Sequence, residues 1–138
     1  EKPIGTVQIE GSFGKLTLEP VSKIDTPIQS IKYDHYQELI ALKDADLPLT
    51  LRTLREGDYF YPIGMQRKKK KVGKFLRDRK VPLHEKEKVW VMESKNRIVW
   101  VIGFRIDERF KMLPSRENVW TFSLKKKRQS LDKKMTRD

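Results

Sequence analysis

The chain has 138 residues, 37% of them hydrophobic and including three Trp, four Tyr and six Phe, which is enough apolar material for one domain with a core. Its 31 Lys+Arg against 19 Asp+Glu leave a net charge of +12, which favours a polyanionic partner through counterion release. The absence of cysteine excludes a disulfide framework, a thiolate nucleophile and a cysteine zinc site, and the longest apolar run, at 98–104, is too short to span a bilayer.

In chain order, the first ten residues lack the apolar stretch of a signal peptide and begin without an initiator methionine. An intracellular, cytoplasmic piece of a longer chain is the expectation. TVQIE and KLTLEPV alternate apolar and polar residues around GSFGK, so two strands joined by a glycine-containing turn are predicted. PIQSIKY is a further alternating run. YDHYQELIAL suits either a short helix capped by Asp34 or a strand end followed by a turn. LPLTLRTL alternates with Leu47, Leu49, Leu51 and Thr53 on one face and Thr50, Arg52 and Leu54 on the other, which places Arg52 in solvent. Gly57 and Asp58 then supply a turn.

At Val72 the period changes from two to 3.6. Val72, Phe75, Leu76 and Arg79 share one helical face, and Val81-Pro82 stops the helix. PLHEKEK starts a second short helix. KVWVMES and RIVWVIGF are strands joined through Lys95-Asn96, RIDERFKM is a polar connection or edge strand, and VWTFSLKK is the last strand. No internal repeat and no linker divides the chain.

Charge is unevenly distributed. Residues 66–88 carry 11 basic and 3 acidic side chains and residues 125–138 carry 7 and 2, whereas residues 1–65 carry 7 and 10. Lysines before a helix oppose its macrodipole, so QRKKKK is misplaced for stability unless an anion sits there. A solvated loop that keeps the domain dispersed is the plainer alternative. No amphipathic helix with a broad apolar face accompanies the lysines, which favours nucleic acid over a membrane surface.

Catalytic chemistry finds no foothold. The seven glycines stand singly and form no phosphate-cradling loop, and His35 and His84 have no metal-ligand spacing. Asp107-Glu108, flanked by Arg105 and Arg109, fits a local ion-pair cluster better than an acid–base pair. Tyr59, Phe60 and Tyr61 suit core packing better than base stacking.

Four ordered stretches carry a resemblance: LPLTLRTLREGDYFYPIGM, KKVGKFLRDRKVP, EKEKVWVM and RIVWVIGFRIDERF. Together they resemble the C-terminal domain of bacterial tRNA(Ile)-lysidine synthetase. The matching positions are Arg55, Gly57 and Asp58, then Pro62, Gly64 and Met65. Lys70, Lys71, Val72, Asp78, Lys80, Val81 and Pro82 follow, and the last strand supplies Ile98, Val99, Trp100, Val101, Gly103 and Arg105. Where many members read K-K-L-K-D, this chain has Val72, Gly73 and Lys74.

The resemblance implies a strand-dominated α+β fold, a layered β-sandwich of mixed strands with one flanking basic helix, similar to a domain of the phenylalanyl-tRNA synthetase β chain. It implies a strand-rich lead-in over 1–46, the tRNA-binding domain over 47–124 and a basic, flexible tail over 125–138. The implied parent is a ligase that uses ATP, with Mg, to adenylate the wobble cytidine of the CAU-anticodon isoleucine tRNA before lysine displaces AMP. Its S-G-G-x-D-S loop has no counterpart here, so this fragment is expected to be non-catalytic, to need no cofactor, and to recognise the acceptor-stem side of that tRNA. A homodimer formed through the parent enzyme fits the same picture. The RNA-contacting residues expected are Arg52, Arg55, Lys68, Lys69, Lys70, Lys71, Lys74, Arg77, Lys80, Arg105 and Arg109. The competing reading is a basic protein-interaction or regulatory module without tRNA specificity.

Overall fold

The alternation of TVQIE and KLTLEPV becomes an antiparallel hairpin of β1 (Val7–Gly11) and β2 (Gly14–Pro20), closed at Ser12-Phe13. The computed structural model describes residues 6–21, 36–113, 115 and 117–125. The alternating run at 27–33 and all of the expected tail except Lys125 lie outside the described residues. The segment read as helix or strand end is a strand, β3 (Gln37–Ala41), in which Glu38 and Ile40 are buried. Its partner is β10 (Val119–Lys125), far away in sequence, and that pairing decides the conformation where local propensity left it open. β10 lies between β2 and β3, giving a first sheet in the order β1-β2-β10-β3.

The second sheet has the order β4-β7-β8-β9, from Thr50–Thr53, Trp90–Ser94, Arg97–Val101 and Arg105–Ile106. Every strand pairing among the described residues is antiparallel. Lys95 and Asn96 both take positive φ, 49° and 68°, the backbone that a two-residue turn between twisted strands requires. A register shift follows: Met92 pairs with Trp100 while Glu93 pairs with Ile98, so Val99 is an extra residue on β8. This bulge sends Val99 and Trp100 to one face and Ile98 and Val101 to the other.

Both faces of the second sheet are therefore covered. Met92, Val99 and Trp100 pack with Leu16, Ile40 and Phe122 of the first sheet, the Trp100 and Phe122 rings lying 5.8 Å apart. Val91, Ile98 and Val101 pack with Phe60, Val72, Phe75 and Leu76. Those residues come from a two-stranded ribbon, β5 (Tyr59–Phe60) with β6 (Lys70–Lys71), and from α1 (Val72–Asp78). The result is three layers: sheet, sheet, and a helix-and-ribbon layer. Each fully buried side chain such as Phe60, Phe75 or Leu76 contributes about 1.5–3 kcal/mol.

Helix α1 ends in a Schellman motif. The Val81 amide donates to the Leu76 carbonyl at 3.0 Å and the Lys80 amide to the Arg77 carbonyl at 2.8 Å. Val81 and Leu76 also pack in the same apolar cluster. The short α2 (Leu83–Lys86) follows directly, after Pro82. Among the described residues no helix is long and apolar enough to cross a membrane.

Candidate nucleic-acid interface

The lysine run has a different local structure from the one its sequence suggested. Lys70 and Lys71 are strand residues paired with Phe60 and Tyr59, and the Val72 amide donates to the Asp58 carbonyl at 2.9 Å. An amide at the start of α1, where an anion would sit, is thus already engaged. Lys71 occupies the cap position of α1 with no side-chain cap, so β6 and not a capping group holds the charges in place.

The eleven predicted RNA contacts separate into two sets. Arg52 belongs to the framework, which corrects the expectation that it faces solvent. Its guanidinium donates to both Asp58 oxygens at 2.9 Å and to Glu93 at 2.9 Å, with only 12% of its side chain exposed. It stands opposite Val91 on the sheet face that the ribbon and α1 cover, a layer that strand alternation alone does not disclose. Its bond to Asp58 raises its affinity for the proton further, against the opposing effect of burial. Arg109 is likewise tied, donating through Nε and Nη2 to Asp107 at 2.9 Å each. Asp107 is fully buried, so the local ion-pair reading of Asp107-Glu108 holds, with Glu108 bonded to Lys111 at 2.6 Å. Lys70 pairs with Asp78 at 2.7 Å, and Arg105 donates to the Ile63 carbonyl at 3.2 Å.

The second set is exposed and has no ion-pair partner among the described residues: Arg55, Lys68, Lys69, Lys71, Lys74, Arg77 and Lys80. They occupy the turn before β5, the β5–β6 loop, β6, the outer side of α1 and, for Lys80, the turn that ends it. The carboxylates within this region are mostly occupied. Asp58 accepts from Arg52 and from the Arg55 amide, and Asp78 is held by Lys70. The Lys70 bond, with the charges of Lys74 and Arg77, keeps Asp78 below the usual carboxylate range.

Two features here were not legible in the pattern. Tyr59 is 43% exposed, with the Lys69 ammonium 4.1 Å above its ring; Tyr61 stands edge-on to it and carries Arg109 at 4.5 Å. Only Phe60 of the three aromatics fits the core expectation. Arg79, absent from the predicted contacts, is exposed at the end of α1 with its guanidinium 3.9 Å from the centroid of Phe75. Period-2 alternation in a ribbon strand could have exposed Tyr59, had the ribbon been recognisable. Lys80 takes φ 62° in the left-handed position of the Schellman motif, where glycine is unstrained, so a cation is held there at a conformational cost. His84 and Glu85, neighbours on α2, approach to 3.5 Å, but both are well exposed and make a surface contact only.

A family model, the TilS substrate C-terminal domain, matches residues 49–124, more than half of the chain. The chain belongs to this family. The tRNA(Ile)-lysidine synthase of Parabacteroides distasonis is 42% identical over 119 residues, covering 86% of this chain and 25% of that protein. The tRNA(Ile)-lysidine synthase of Bacteroides thetaiotaomicron is 34% identical over 108 residues, covering 70% of this chain and 25% of that protein. The chain thus spans about a quarter of the length of these curated relatives. A crystal structure of a TilS C-terminal domain superposes with a TM-score of 0.73 at 17% identity, covering 89% of this chain and 92% of that one. That likeness shows the fold: strand-dominated α+β, with antiparallel sheets and few helices.

Proposed function

We propose that this TilS C-terminal domain is the tRNA-recognition module of a tRNA(Ile)-lysidine synthase. The observation that carries the reading is the band of unpaired cations on the β5–β6 ribbon and α1, in a domain where Arg52, Arg97 and Arg109 are each matched to a carboxylate. Cations without partners, anchored on a packed helix and ribbon, are a surface for a phosphate backbone. The domain receives the acceptor-stem side of the CAU-anticodon isoleucine tRNA in the cytoplasm. Another part of the protein, outside this chain, binds ATP with Mg and joins lysine to the wobble cytidine.

The mechanism assigned to the domain is orientation. Phosphate contacts fix register and carry no sequence information by themselves. Lys68, Lys69, Lys71, Lys74 and Arg77 supply attraction, while the Tyr59–Tyr61 pair offers ring surface beside it. The test is the triple variant Lys69→Ala, Lys71→Ala, Lys74→Ala, titrated with the isoleucine tRNA over a salt series. The slope of log K against log salt should fall by about 2–3 with the fold intact. An unchanged slope removes the band as the RNA site, and stable capture of an acidic protein with no preference for tRNA would instead support an interaction module.

A further inference from the structure

Among the described residues, the half-buried arginines Arg52 and Arg97 and the more exposed Arg109 are each matched to a carboxylate. Arg52 holds Asp58 and Glu93, Arg97 holds Asp46, and Arg109 holds Asp107. Arg105 departs from this pattern. Half-buried at the start of β9, it donates to the Ile63 carbonyl at 3.2 Å and pairs with no carboxylate among the described residues.

A second guanidinium is its neighbour instead. Arg105 pairs across the strands with Val101, which puts its side chain on the face packed against α1. There its guanidinium lies 5.4 Å from the Phe75 ring centroid, and that of Arg79 lies 3.9 Å from the same point. The two charges are therefore no further apart than the sum of those distances. Burial, and then repulsion from Arg79, weaken the hold of Arg105 on its proton; the Glu38 carboxylate acts the other way as a smaller effect. The ring face offsets part of the repulsion, since each cation is attracted to it.

The geometry points to a two-arginine clamp for one RNA backbone phosphate, formed by Arg79 and Arg105 over Phe75 at the C-terminal end of α1. An anion placed between them would relieve the repulsion, and each planar fork can donate to phosphate oxygens at about 2.7–2.9 Å. The clamp rests on the RNA-binding reading above, and its position favours a phosphodiester over free phosphate because Arg77 and Lys80 flank it in the chain with no ion-pair partners of their own. It also differs from the lysines in kind. Its groups are seated on a fully buried ring and so can set the register of the RNA, whereas the lysines attract it diffusely.

Two measurements test it on the 138-residue chain. In the wild type, the arginine Nε–H resonances are followed during titration with inorganic phosphate and, separately, with the tRNA. The signals of Arg79 and Arg105 should move together in one saturable curve, ahead of the other arginines, and should move at far lower concentrations of tRNA. The second measurement uses Arg79→Lys, Arg105→Lys and the double variant, each checked for an unchanged melting temperature. Lysine keeps the charge, so the salt slope should be preserved while tRNA affinity drops about tenfold, the double variant falling no further than either single one. Binding of tRNA with silent Arg79 and Arg105 signals, or wild-type affinity in both lysine variants, overturns the clamp and leaves the wider cationic surface standing. Saturable phosphate shifts without tRNA binding overturn the RNA reading, and with it the phosphodiester.

Discussion

Replacing Asp107 with asparagine should loosen the junction that aims the Tyr59–Tyr61 strand. The Asp107 carboxylate is fully buried and accepts four bonds: the Tyr61 amide at 2.9 Å, the Arg109 amide at 2.7 Å, and Arg109 Nε and Nη2 at 2.9 Å each. Beside it the Glu108 amide donates to the Tyr61 carbonyl at 2.6 Å, so the carboxylate joins the exit of β5 to the end of β9. Asparagine retains one acceptor oxygen and turns an NH2 towards groups that are themselves donors. A charge-assisted bond is worth about 1.5–3 kcal/mol, and stranding one partner of a buried pair costs about 3–5 kcal/mol. Arg109, with 31% of its side chain exposed, can turn to water, which places the loss near the low end, at about 3 kcal/mol. For a chain of this size that corresponds to a melting temperature lower by roughly 9–15 °C. Thermal denaturation gives the total, and hydrogen exchange at the Tyr61 amide localises it. A drop below about 3 °C with the Tyr61 amide still protected would refute the view that this carboxylate organises the junction.

Lys80→Gly relieves the left-handed backbone at φ 62°, so it should stabilise the domain by about 1 kcal/mol while lowering the salt slope of tRNA binding by roughly one unit. Calorimetry and a salt series read the two effects separately; loss of stability would count against the strain argument. Asp58→Asn tests the acid limb. Burial alone would raise the Asp58 carboxyl, but bonds from Arg52 and the Arg55 amide outweigh it and hold it below 3.8. Its stabilisation is therefore complete above that value and is lost as pH falls through the lower folded value. The variant should be less stable at neutral pH and show a flatter stability–pH profile below about pH 4, and an equally steep acid limb would contradict the assignment. Asp78→Asn frees Lys70 from its 2.7 Å pair, so tRNA affinity should rise by about two- to fivefold at low salt, and unchanged affinity would mean that Lys70 faces no phosphate.

Much of this protein follows from its sequence alone, because the determinants are local. The two-residue alternation of β1 and β2, the 3.6-residue spacing of Val72, Phe75 and Leu76, and the Lys95-Asn96 turn each select a backbone conformation within a few residues. The four ordered motifs likewise carried the family, because a set of spaced residue types is a property of the chain itself.

What the sequence left open depended on partners far along the chain. β3 is a strand because β10 lies beside it, and the lysine run is partly a strand because Tyr59 and Phe60 pair with it. The bulge at Val99 and the covering of the second sheet on both faces decide which polar side chains are free. Alternation placed Arg52 opposite the leucines, but only the packed third layer converts that face from solvent to a carboxylate site. The same layer brings Arg79 and Arg105 to one ring from positions separated by two strands and a helix. Sequence thus determined where positive charge accumulates; tertiary packing decided which cations remain unpaired, since pairing depends on distances that only the folded chain sets.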